Sequence, residues 1–413
     1  MQHRNVRSSA AGFAAVALAL GACSGEITGE NVVEQPGLRH PSAEGSLVTV
    51  DVHPDGLDLR YEGAAPRFLI GDVVWGSEGP GYLRKVTAVS GDGGAIHLAT
   101  VDAALEDGFQ QIQIEGGVTL TPLTPTLPVA FDETFTMTGT DGTQYAVHVQ
   151  YAAPTLTPVA SGNGMTVTWQ IPELALSISD AQGRGTLTLS ARELEVDKTV
   201  TLDAGMDWSW GRLKDLRFVV DDHSRYALKQ LAVNVSGQVP LLDQHIPLLA
   251  DPALATVPVG PLVFTLGGQV DLGLDAVLSA AGELHTTGDV AVSTAGRSGV
   301  TWDGAFHPIT ELTTTVDSAF TGVQLTGRAD LSADVSLAGR LRFALYGIAG
   351  PELYGTITPV AADLSADPAG WKLALAASAT GGVRFVLPFV KLDQLDLPFG
   401  SWSQTYYQTS GTW

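Results

Sequence analysis

The sequence is poor in cysteine and in basic residues, and each shortage excludes something. Its one cysteine, Cys23, allows no disulfide within a chain and no cysteine–histidine metal cluster. Only 22 Lys and Arg stand against 44 Asp and Glu, for a formal net charge of −22. That balance argues against nucleic acid as a partner, because phosphate binding needs clustered cations. It also argues against electrostatic docking onto anionic lipid. The nine histidines are scattered, with no HxH or HExxH pattern, so a metal site has no support. No P-loop, no GxGxxG opening a helix and no GxSxG elbow occurs, so no nucleotide, cofactor or serine nucleophile is indicated. Beyond residue 20, no apolar run is long enough for a membrane-spanning helix.

What is present begins at the N-terminus. Arg4 and Arg7 precede an apolar run, AAGFAAVALAL (10–20), and then Leu20-Gly21-Ala22-Cys23. A positive start, a short apolar stretch and small residues before a cut point make a secretory signal. The Leu-Gly-Ala-Cys tetrad resembles the lipobox of bacterial lipoproteins. The resemblance implies cleavage between Ala22 and Cys23 and a diacylglycerol on the Cys23 sulfur, which would also remove an otherwise free thiol. Ser24 after the cysteine resembles the class retained at the outer membrane. The expectation is therefore a lipid-anchored envelope protein at the outer membrane, facing the surface or the periplasm.

Glycine is frequent (47 residues), and alternating apolar and polar residues fill most of the chain. This pattern predicts an all-β protein of many strands joined by tight turns. Residues 1–22 read as the signal and 23–45 as a flexible tether. Residues 46–121 read as a small β module, 122–256 as a β-rich domain, and 257–413 as an antiparallel sandwich or meander. Whether the last two are one domain or two stays open. In the small module, HPDG (53–56) and GDGG (91–94) are turns between alternating strands, with Leu83, Val86 and Val89 as core and Arg84 and Lys85 at a strand edge. DAALEDGFQ (102–110) predicts one helical turn capped by Asp102. Gly71-Asp72-Val73-Val74, Gly81-Tyr82-Leu83-Arg84-Lys85-Val86, Thr100 and Ala103-Ala104-Leu105-Glu106-Asp107 resemble a recurring module near the N-termini of secreted, β-rich bacterial proteins. The resemblance covers residues 68–110 and implies a small β-barrel-like unit with no established activity. TPLTPTLP (121–128) reads as an extended linker, and PLLADPALATVPVGP (247–261) as a break.

Candidate binding residues are few. Asp221-Asp222-His223 is the densest polar cluster and is expected at a turn after LRFVV. Gly296-Arg297-Ser298-Gly299 reads as a hairpin tip. Trp208 and Trp210, at i and i+2 of a strand, would share a face and could stack on a sugar ring. The segment 401–407 adds another aromatic cluster. These readings favour a structural or adhesive role, binding glycan or envelope protein without catalysis. The alternatives are a polysaccharide hydrolase, whose two carboxylates would face each other across a groove, and a lipid carrier or outer-membrane assembly factor, a long curved sheet with an open apolar groove wide enough for acyl chains.

Overall fold

The computed structural model describes residues 31–114, 119–123, 130–138, 142–180, 182, 185–237, 239–249, 253–279, 282–327, 330–346, 350–366, 369–385 and 395–412. Ala22 and Cys23 lie outside them. The protein is all-β, as the alternation predicts, with one helical turn.

The N-terminal part runs β1 (Asn31–Glu34), β2 (Leu38–Arg39), β3 (Leu47–His53), β4 (Gly56–Tyr61), β5 (Val73–Gly76), β6 (Tyr82–Asp92), β7 (Ala95–Asp102), α1 (Leu105–Gly108), β8 (Phe109–Ile114) and β9 (Thr121–Pro122). Six of these form a small sheet in the order β2-β5-β6-β7-β4-β3 around Leu57, Leu59, Val74, Tyr82 and Leu98. The two turns fall where Pro54-Asp55 and Gly93-Gly94 put them. Four expectations change. Within the expected tether, Asn31–Glu34 and Leu38–Arg39 are strands, since β1 pairs with β8 and β2 with β5. Arg84 lies on an interior strand and is buried, held by Asp102 at 2.6 Å and by donation to the Pro54 carbonyl at 3.0 Å. Asp102 is thereby taken, and α1 instead starts at Ala104, whose N–H donates to Asp107 Oδ2 at 2.9 Å. Of the three expected core residues, Leu83 and Val86 are buried, but Val89 is exposed.

The rest of the chain is a series of long antiparallel strands: β10 (Phe131–Thr138), β11 (Gln144–Tyr151), β12 (Thr155–Ser161), β13 (Gly164–Asp180), β14 (Gly185–Ser209), β15 (Arg212–Gly237), β16 (Val239–Leu249), β17 (Ala253–Val259), β18 (Leu262–Ser279), β19 (Gly282–Trp302), β20 (Phe306–Gly327), β21 (Asp330–Leu345), β22 (Glu352–Ala366), β23 (Gly370–Phe385) and β24 (Leu395–Thr412). One sheet runs β10-β11-β13-β14-β15-β19-β20, with β12 on β13 and β8 on β14. The other runs β24-β23-β22-β21-β18-β17-β9, with β16 on β18. Both sheets draw strands from both sides of residue 256, and the two pack face to face around one interior. The stretch 247–261 takes in the end of β16 and all of β17 rather than a break, and Gly260, at φ +57°, turns the chain into β18. The linker TPLTPTLP starts as β9, paired to β17. Likewise, Gly296-Arg297-Ser298-Gly299 lies inside β19, not at a tip.

Bulges recur where long strands bend. Asp207 and Trp208 on β14 pair with Asp215 and Leu213 on β15, leaving Lys214 as an extra residue. On β15 the register skips between Leu228 and Leu231, and Gln230 takes φ +51° with its N–H donating to Asp289 Oδ1 at 2.6 Å. An extra residue locally raises the twist, which curls a wide sheet around its contents. The N-terminal module seats against one end of the sandwich. Trp75 Nε1 donates to the Pro261 carbonyl at 2.8 Å, as does the Tyr346 hydroxyl at 2.6 Å. Gly81, at φ +73°, approaches Val263 so closely that a Cβ would lie 2.6 Å from it.

Candidate functional site

The interior of the sandwich divides into two apolar clusters along the strands. One holds Trp169, Ile171, Val196, Tyr226, Ile357 and Ala379; the other Met165, Val200, Leu202, Val257, Leu341 and Phe343. At their junction lies a cavity of about 110 Å³. Its lining runs from Leu156 on β12 and Leu254 on β17 to Leu312 on β20.

The register shows why space remains there. On one sheet Gly339, Gly355 and Gly381 are direct cross-strand partners, and Gly400 continues the row. Gly339 extends the inward face that carries Leu337 and Leu341, so the row presents bare backbone where side chains would fill the interior. A Cβ at Gly339 would aim at the Tyr226 hydroxyl on the opposite sheet, 3.7 Å away. The facing sheet answers with a polar row: Lys198, Ser224, Thr294 and Thr314 are successive cross-strand partners.

Lys198 anchors that row. Its Nζ donates to Asp222 Oδ2 at 2.8 Å and to Ser224 Oγ at 3.1 Å, and Ser224 Oγ donates to Asp222 Oδ1 at 3.0 Å. The network sits deep in the protein, yet 20% of the Lys198 side-chain surface stays open, and both Lys198 and Asp222 line the cavity. The open surface therefore faces the internal void. Burial works against the ammonium, but the Asp222 carboxylate and the Tyr226 phenol together offset it and hold the Lys198 pKa above its ordinary value. Burial pushes the Tyr226 phenol up as well. Trp169, on the same wall, has an indole N–H with no partner among the described residues. A buried polar group without a partner costs about 1–3 kcal/mol.

The sequence-derived candidates separate here. Asp221, Asp222 and His223 lie mid-strand on β15, not at a turn, and their side chains alternate. Asp222 points inward to Lys198; Asp221 lies 3.6 Å from Arg297 on the outer face, and His223 is exposed there. Trp208 and Trp210 do not share a face. Trp208 is 2% exposed, while Trp210 is 74% exposed and leaves the strand at φ +51°. With Gly211 at φ +73°, it forms the two-residue loop joining Ser209 to Arg212, the backbone signature of a type I′ turn. Shared stacking on one ring by this pair loses its geometric premise. In the 401–407 cluster, Trp402, Tyr406 and Tyr407 pack against the first apolar cluster, and the Tyr406 hydroxyl donates to the Pro359 carbonyl at 3.1 Å.

Sequence reading missed Lys198 altogether. It sits 24 residues from Asp222, and its only signal is its place in the inward alternation Leu194, Val196, Lys198, Val200, Leu202. It also missed a trio on the small module, where Asp58 accepts from His97 Nδ1 at 2.6 Å and pairs with His53 Nε2 at 3.0 Å. The His97 contact, with His53 in support, keeps the Asp58 carboxyl below its usual range. Among the described residues, no group of three such side chains is placed to hold a metal ion.

Comparison with known proteins finds no matching family model, no matching curated protein and no matching solved structure. The reading of the site therefore rests on its own geometry.

Proposed function

We propose that this is an envelope lipoprotein, anchored through Cys23, that carries a slender apolar ligand between its two long sheets. The observation behind the reading is the cavity between a row of glycines on one sheet and the Lys198 wall on the other, at the junction of two apolar clusters. Protein interiors pack like organic crystals, so a void of this kind forgoes contacts and is costly to keep. At about 110 Å³ it is smaller than the roughly 300 Å³ of an ordinary small-molecule pocket, so it would seat only a short segment of an acyl chain, with the rest lying along the seam between the sheets. A comparable apolar cavity of about 150 Å³ stays dry and takes a benzene ring. Entry needs no ladder to break, because no strand pairing joins the two sheets at their lateral seams among the described residues.

The test is to purify the chain from its native membrane fraction without lipid-stripping detergent and extract it for mass spectrometry. A stoichiometric acyl lipid, beyond any lipid covalently bound at Cys23, supports carriage. Its absence, together with failure to take up added acyl compounds, overturns it. A Cys23→Ser chain recovered in the soluble fraction would support the anchor, and retention in the membrane would refute it.

A further inference from the structure

The carriage reading leaves open what lies at the polar end of the ligand, and the wall chemistry bears on that. Both Asp222 carboxylate oxygens already accept, one from Lys198 and one from Ser224. An ammonium has three donors, and Lys198 spends two of them on Asp222 and Ser224. The third remains for the void that its open surface faces. The Trp169 ring also lines the cavity, but its indole nitrogen is closed off from the void. The wall therefore offers the spare Lys198 donor, and a ligand must bring an acceptor.

Charge decides which acceptor. Lys198 and Asp222 cancel, so the network is neutral. A carboxylate or phosphate would force two anions to share one ammonium in a low-dielectric interior, leaving an uncompensated charge. A neutral carbonyl takes the spare hydrogen bond without that penalty. Resting on the carriage reading, we infer that Lys198, held by Asp222 and Ser224, binds the ester carbonyl of a neutral acyl lipid. The preferred cargo is of the acylglycerol type, in preference to a free fatty acid or a phospholipid. The glycine row opposite holds the acyl chain, because Gly339 and Gly355 leave the space that a methylene run needs.

The experiment measures displacement of diphenylhexatriene, a rod-like hydrocarbon, from the full chain by dodecane, methyl dodecanoate and dodecanoate at pH 8. The ester should compete about tenfold better than either of the others, the difference expected from one charge-assisted hydrogen bond. In a Lys198→Met/Asp222→Leu double variant, the ester should fall to the level of dodecane while dodecane stays within about threefold. The order of ester over dodecanoate in the parent chain keeps the test open if the double variant does not fold. An ester advantage that survives in the double variant, or dodecanoate binding better than the ester, overturns the inference but leaves carriage standing. No uptake of diphenylhexatriene or of any competitor overturns carriage itself.

Discussion

Lys198 and Asp222 are diagonal neighbours on the β14–β15 ladder: Lys198 stands directly opposite Ser224, and its ammonium reaches across to Asp222 two residues away. Ser224, one of the few buried polar residues in the sandwich, closes the triangle. The arrangement places an ion pair between two apolar clusters, where each charge depends on the other.

That dependence sets the first prediction. Lys198→Met strands the Asp222 carboxylate in the interior and should destabilise the fold by about 3–5 kcal/mol. Adding Asp222→Leu should restore most of this, to within about 1 kcal/mol of the parent, because apolar residues of similar volume replace a buried pair at little cost. Urea unfolding of the four members of the cycle measures it; a double variant as unstable as the single one would refute it.

Gly339 separates stability from binding. A Cβ there meets only ordinary contact, and the residue is not in the left-handed region. Gly339→Leu should gain about 0.5–1 kcal/mol, because glycine weakens a strand interior and the new side chain fills void. The same variant should lose apolar ligand at least about tenfold, by occupying its space. Thermal unfolding and hydrocarbon uptake on one sample show whether the two effects move in opposite directions.

On the outer face, Glu195 accepts from Lys229 at 2.6 Å and from Arg225 at 2.7 Å. The Lys229 hydrogen bond, supported by its charge, Glu193 and Arg225, pulls the Glu195 carboxyl down to about 2, from an ordinary 4.5. A depressed carboxyl stabilises the fold above its unfolded pKa and loses that contribution as pH falls towards its folded one. The loss should fall between about pH 4.5 and pH 2. Because Lys229 is 43% exposed, the contribution at neutral pH is expected to be only about 1 kcal/mol. Glu195→Gln should lower stability at pH 7 and flatten the acid limb; chemical denaturation at several pH values tests both.

The two tryptophans of the β14–β15 hairpin should respond in opposite senses. Trp208→Ala empties a buried site and should cost about 3–5 kcal/mol. Trp210→Asn replaces an exposed indole in the left-handed region with a residue that tolerates it, and should stabilise by about 1 kcal/mol. Equal losses at both positions would contradict the loop geometry.

The sequence by itself determined the all-β class, because a period of two over long stretches can bury one face only as a strand. It determined tight turns such as Pro54-Asp55 and Gly93-Gly94, where local chemistry suffices. It also put Leu272 and Leu337 on inward faces, and both are buried. Only the tertiary structure decided where strands end, and so whether Trp208 and Trp210 share a face or Asp222 lies at a turn. Strand length is set by the partner across the ladder, not by the residues themselves. The cavity is more distant still from the sequence. Gly339, Gly355 and Gly381 lie 16 and 26 residues apart and become a row only through register. Lys198 gains its meaning from Asp222 on the next strand and from the glycines on the opposite sheet, and single-strand alternation carries no information about either.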